Sequence, residues 1–99
     1  MNLRFRKKPV VIEAYQMTED RILSNAKWPG WLNVAYQLER GVIGSAHVND
    51  DGMFSIFTPE GELLVSWGDW IIQGVKGELY PCKPDIFKLT YEEVPDDLS

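Results

Sequence analysis

A chain of 99 residues buries only about two-thirds of its unfolded surface and supports one core, so a single domain over residues 1–99 is expected. With 44% hydrophobic and 25% charged residues it reads as a globule, and runs such as Val10-Val11-Ile12 and Trp70-Ile71-Ile72 fall far short of the roughly 18 residues of a membrane span. Four of the ten basic residues lie within the first eight, leaving six against fifteen acids over the rest; so acidic a body argues against duplex nucleic acid, which needs a broad basic face.

Residues 1–8 form a basic arm, expected to be flexible, and Pro9 and Glu13 interrupt anything like the apolar core of a signal peptide. Val10 to Met17 alternates and is led by β-branched residues, which predicts a first strand. Thr18 offers an N-cap hydroxyl before Glu19 and Asp20, predicting a short helix over 19–25. In "WLNVAYQLERG", Trp31, Val34, Ala35 and Leu38 recur at helical spacing, and Gly41 suits the residue after a helix over about 30–40.

From Val42 onward the pattern changes to short strands near 42–48, 53–58, 62–67, 69–74 and 77–80. Asn49-Asp50-Asp51-Gly52, Thr58-Pro59-Glu60-Gly61 and Gly74-Val75-Lys76-Gly77 carry the turn chemistry between them, and loops this short favour pairing in chain order. Lys83-Pro84-Asp85 opens a last helix whose Phe87, Tyr91 and Val94 would face the sheet. Pro95 stops it, and 95–99 form an acidic tail expected to fray. The expected class is α+β: an antiparallel meander of five to six strands with one or two short helices, one of them C-terminal.

Catalytic and metal chemistry have little to draw on. One histidine, His47, and one cysteine, Cys82, cannot build a Cys/His zinc site in one subunit, and "NDDG" lacks the spaced acids of a calcium loop. No cofactor or metal is expected. Gly74 to Gly77 is hairpin-sized and lacks the Ser/Thr and helix of a phosphate loop. His47 with Asp50 or Asp51 is the one acid-base pairing available, and Ser45 or Ser66 the nominal nucleophiles; no G-x-S-x-G elbow accompanies them. Cys82 lies between Pro81 and Lys83-Pro84, where Lys83 would slightly favour a thiolate. A lone cysteine forms no internal disulfide, which with the missing leader predicts a cytoplasmic protein.

The surplus is aromatic. Most of the twelve rings must fill the core, yet tryptophan is also enriched where a dry surface meets a partner. Trp67 and Trp70, three positions apart, would face opposite sides of a continuous strand unless Gly68-Asp69 bends it. "VVIEAYQM", "WPGWL" and above all "GDWIIQGVKGELYPCKPDIFKLTYEEV" from Gly68 to Val94 resemble small proteins encoded in bacteriophage and prophage genomes. The resemblance spans most of the chain and implies a setting, a phage-derived accessory protein in the bacterial cytoplasm, with no catalytic residues to carry over.

Within that stretch a strand-turn-strand-helix unit is expected, with Tyr80, Cys82, Lys83 and Asp85 at a strand-to-helix junction where a helix N-terminus could receive an anion. Trp67, Asp69, Trp70, Tyr80, Cys82, Lys83 and Asp85 are therefore the candidate ligand- or partner-binding residues. The leading expectation is a non-enzymatic protein that inhibits or sequesters a host factor, for host takeover or counter-defence, by docking on a basic protein surface. The alternatives are a sponge for a nucleotide-like ligand held by aromatic rings, Lys83 and the Arg4 to Lys8 arm; a small enzyme using His47; and a structural component that homo-oligomerises through an open sheet edge.

Overall fold

The turn chemistry around Asn49 and Pro59 folds the middle of the chain into a local meander. The computed structural model describes residues 3–6, 8–23 and 27–95; the expected end of the first helix at 24–25 and the tail 96–99 lie outside the described residues. In chain order the elements are β1 (Glu13–Gln16), α1 (Glu19–Leu23), α2 (Gly30–Gln37), β2 (Ala46–Val48), β3 (Phe54–Thr58), β4 (Gly61–Val65), β5 (Trp70–Gln73), β6 (Leu79–Cys82) and α3 (Pro84–Thr90). The class is α+β, with six antiparallel strands and a C-terminal helix.

β2, β3 and β4 pair in chain order. Asn49 N–H donates to Met53 O at 2.7 Å and Gly52, at φ 85°, closes the first loop; Pro59-Glu60 spans the second, where Gly61 takes φ 113° opposite Thr58. β2 starts later than its sequence pattern, because Gly44 N–H and Ser45 O both pair with Phe57. Two residues opposite one make a bulge with Gly44 at φ 94°, so residues 42–45 are turn rather than strand.

The expected single meander is split at Ser66–Asp69. Ser66 N–H donates to Asp69 Oδ2 (2.9 Å) and Asp69 N–H to Ser66 O (3.0 Å), forming a tight turn with Gly68 at φ 92°. Its outer groups pair with the first strand instead of β4: Gly68 N–H to Met17 O and Met17 N–H to Asp69 O, each 2.8 Å. β5 is thereby handed to β1, and the second sheet runs β1-β5-β6, with Gly74 to Gly77 closing its hairpin as expected.

The core lies between the sheets and α2. Met17, Leu32, Ala46, Phe54, Ile56, Val65 and Ile71 are fully enclosed, with Trp28 beside them. Trp28 meets Phe54 edge-on at 5.6 Å and donates its indole N–H to Arg21 O at 2.6 Å. α2 ends at Gln37, and its buried stripe is Leu32 and Ala35 with Trp31 half-buried, whereas Val34 and Leu38 are exposed. The expected stripe was displaced because Trp28 already seats the chain before the helix starts, and Leu38 turns to extended backbone as its C-cap. Gly41 does adopt φ 94°, but in the following turn rather than as the residue after the helix. The Thr18 hydroxyl donates to the Asp20 carboxylate at 2.6 Å, and it is the Thr18 carbonyl that accepts a backbone N–H, from Arg21 at 3.0 Å.

Candidate functional site

The registers sort the β1-β5-β6 sheet into two faces. Tyr15, Ile71 and Leu79 turn to the core, whereas Ala14, Gln16, Trp70, Ile72, Tyr80 and Cys82 share the opposite face, since direct cross-strand partners lie on the same side. Pro84 starts α3 immediately after β6 and folds it back over that face. Phe87 stacks on Trp70 with centroids 4.1 Å apart and planes 6° apart, Tyr91 stacks on Phe87 at 5.1 Å, and the Tyr80 and Tyr91 hydroxyls are 3.5 Å apart. None of the described residues of α3 is buried, and Ile86 and Leu89 stand in solvent.

The cover is incomplete on the β1 side. Between residues 10–16 and α3 an open cleft of about 1080 Å3 has Val10, Val11, Ala14 and Gln16 on one wall, Phe87, Lys88 and Tyr91 on the other, and Trp70 between. Glu92, Glu93 and Val94 close one end, and Glu13 stands on the strand wall. Three carboxylates against the ammonium of Lys88 make the rim acidic. Val94 thus lies beyond the helix end at Thr90, lining the cleft rather than facing the sheet from a helix.

The remaining candidate residues divide into structural and open groups. Asp69 is buried; its Oδ2 accepts Lys83 Nζ at 3.1 Å besides Ser66 N–H, so the Lys83 charge is already matched. Trp67 sits in the turn itself, 41% exposed, and does not join the Trp70 face. Burial first, then the charges of Asp69 and Asp85, push the Cys82 thiol above its usual range, opposite to the expectation that Lys83 would favour the thiolate. Burial and the Tyr91 hydroxyl push Tyr80 up to about 12. At the start of α3 Pro84 lacks an N–H and Asp85 adds a carboxylate, an unfavourable setting for an anion.

A second cluster covers the outer face of β2-β3-β4. Ser55, fully buried, donates to Glu62 Oε2 at 2.8 Å; Arg40 donates to Asn49 Oδ1 at 2.7 Å and reaches Glu62 at 3.4 Å. His47 lies opposite Ser55, and the charges acting on it are Arg40 and Glu62 rather than Asp50 or Asp51. Its pKa is lowered, mainly by burial. Among the described residues no group of three or more His, Cys, Asp or Glu could hold a metal ion, and no helix is long and apolar enough to cross a membrane.

Comparison with protein families, with curated proteins and with solved structures found no match. Of the residues singled out in the sequence, Trp70, Tyr80 and Cys82 come together on one face, and Asp69 with Lys83 on the adjoining turn. The β1 wall and the Glu92-Glu93 rim were missed. The expected first strand over Val10 to Met17 is shorter, Glu13–Gln16, because only these residues pair with β5. Val10-Val11-Ile12, three consecutive apolar residues that precede it with Val10 and Val11 exposed, were the available signal.

Proposed function

We propose that the protein acts by binding, taking an apolar, basic segment of a partner protein into the cleft between residues 10–16 and α3. The carrying observation is the pairing of an aromatic wall with an acidic rim: Trp70, Phe87 and Tyr91 offer dry surface, and Glu13, Glu92 and Glu93 favour a cationic neighbour. The same rim disfavours a nucleotide phosphate, and of the cations that a nucleotide site would use, Lys83 is engaged by Asp69. The resemblance to phage-encoded proteins supports reading the partner as a host factor of the bacterial cytoplasm and the role as its inhibition or sequestration.

The reading is tested by thermal unfolding with two probes, a synthetic peptide alternating lysine with leucine, and ATP. At about a hundred times its dissociation constant a bound probe stabilises by about 2.7 kcal/mol, which raises the Tm by roughly 13 °C for a domain of this size. The peptide is expected to give this shift and to lose it when Glu92 and Glu93 are replaced by lysine. A shift with ATP and none with the peptide would overturn the proposal in favour of a nucleotide sponge.

A further inference from the structure

β1 is an edge strand, and its free edge opens into the cleft. Among the described residues its strand pairing is with β5 alone. Antiparallel backbone groups alternate sides, and Met17 points both of its groups at the Gly68–Asp69 turn. Gln16 and Ala14 therefore present theirs to the opposite edge. Arg21 Nη1 caps Gln16 O at 2.6 Å, which leaves Ala14 as the position with both groups open, beside the exposed Val10, Val11 and Glu13.

The other edge of this sheet is treated differently. Gly74 N–H pairs with Glu78 O, so by the same alternation Ile72–Tyr80 and Trp70–Cys82 exchange hydrogen bonds and Pro81 faces its ring nitrogen outward. Proline there removes the donor that an added strand would need, a common means of blunting an edge. β6 also lies against β3 and β4, whereas the β1 edge has α3 above one face and the cleft alongside.

We infer that the partner segment, on the binding reading above, docks as an extended strand hydrogen-bonded to β1 at Ala14, its apolar side chains turned to Phe87 and Tyr91, its alternate basic ones to the Glu13 side of the sheet, and its positive charge favoured by Glu92 and Glu93 at the cleft end. Main-chain pairing supplies affinity in such additions, and the flanking pocket and charges select the sequence. A strand of about five residues spans roughly 17 Å.

The test uses the full chain and two versions of the lysine-leucine peptide, N-methylated either on every leucine amide or on every lysine amide. Side-chain parity and amide parity are locked together in a strand, so only one of the two sets faces β1. One methylated peptide is expected to bind about tenfold or more weakly than the parent, and the other to stay near it. Ala14→Pro, which removes the outward N–H and no hydrogen bond to β5, is expected to weaken the parent peptide by a similar factor, with Ala14→Val as its control and the Tm of each variant checking the fold against the restriction that proline puts on φ. Equal affinity of the two methylated peptides overturns strand addition even if the parent binds and cleft binding stands; failure of the parent peptide overturns both.

Discussion

The two sheets have three strands each and finish their outer faces in opposite ways. β2-β3-β4 covers its outer face with a polar cluster, Arg40, Asn49, Ser55 and Glu62, whose members satisfy one another. β1-β5-β6 turns Trp70, Ile72 and Tyr80 outward under a seven-residue helix, which leaves Ile72 buried but Trp70 and Tyr80 only half-buried. That network pairs its own polar groups, although His47 Nε2 beside it has no hydrogen-bond partner among the described residues and Leu64 on the same face is exposed. The stacked Trp70, Phe87 and Tyr91 rings beside the exposed Val10 and Val11 form the larger apolar surface, the usual mark of an interaction site.

Substitutions on the two sides should separate these roles. Phe54 is fully enclosed and touches Trp28, so Phe54→Ala is expected to cost about 3–5 kcal/mol in denaturant unfolding. Phe87→Ala removes a half-buried ring from a partly covered face and is expected to cost about 1–2 kcal/mol while abolishing peptide binding. Equal losses would mean that α3 is as much core as β3, and the contrast between the sheets would fail.

The junction between the sheets gives the next effect. Asp69→Ala removes a buried acceptor from Ser66 N–H and Lys83 together, and about 2–3 kcal/mol of destabilisation is expected. Lys83→Ala should cost only about 0.5–1 kcal/mol, because the Lys83 side chain is 61% exposed and water takes its place. Asp69→Asn keeps an acceptor and should fall between them. If Lys83→Ala proved the costlier change, the carboxylate would matter for the ion pair and not for the turn that divides the sheets.

Hairpins were the legible part of this chain. Asn49-Asp50-Asp51-Gly52, Pro59-Glu60 and Gly74 to Gly77 each carry local turn chemistry, and each closes where that chemistry lies. The division into two sheets was not legible, because it depends on Met17 pairing with Gly68 and Asp69, some fifty residues away, and Gly68-Asp69 looks locally like any other turn. The site was half visible for the same reason. Trp70, Tyr80 and Cys82 alternate on paired strands, so their common face follows from register, whereas the β1 wall is brought to Phe87 and Tyr91 only by that long-range pairing.

The smallest effect distinguishes the two faces by pH. His47 on the β2-β3-β4 side has its pKa lowered from 6.5 by burial and by Arg40, so its contribution is complete above 6.5 and is lost as pH falls below that value, where the unfolded chain takes up the proton first. Tyr80 on the other side is raised from 10.0 to about 12, so its contribution is complete below pH 10 and is lost as pH rises toward 12, where the unfolded phenol ionises first. Stability measured against pH should therefore fall at the acid end less steeply in His47→Gln than in the wild type, and at the alkaline end less steeply in Tyr80→Phe, with neither substitution affecting the other limb. Retention of the wild-type alkaline slope in Tyr80→Phe would show that the phenol is not enclosed by Tyr91 and α3. The helix would then cover even less of the aromatic face, and the cleft would extend across it.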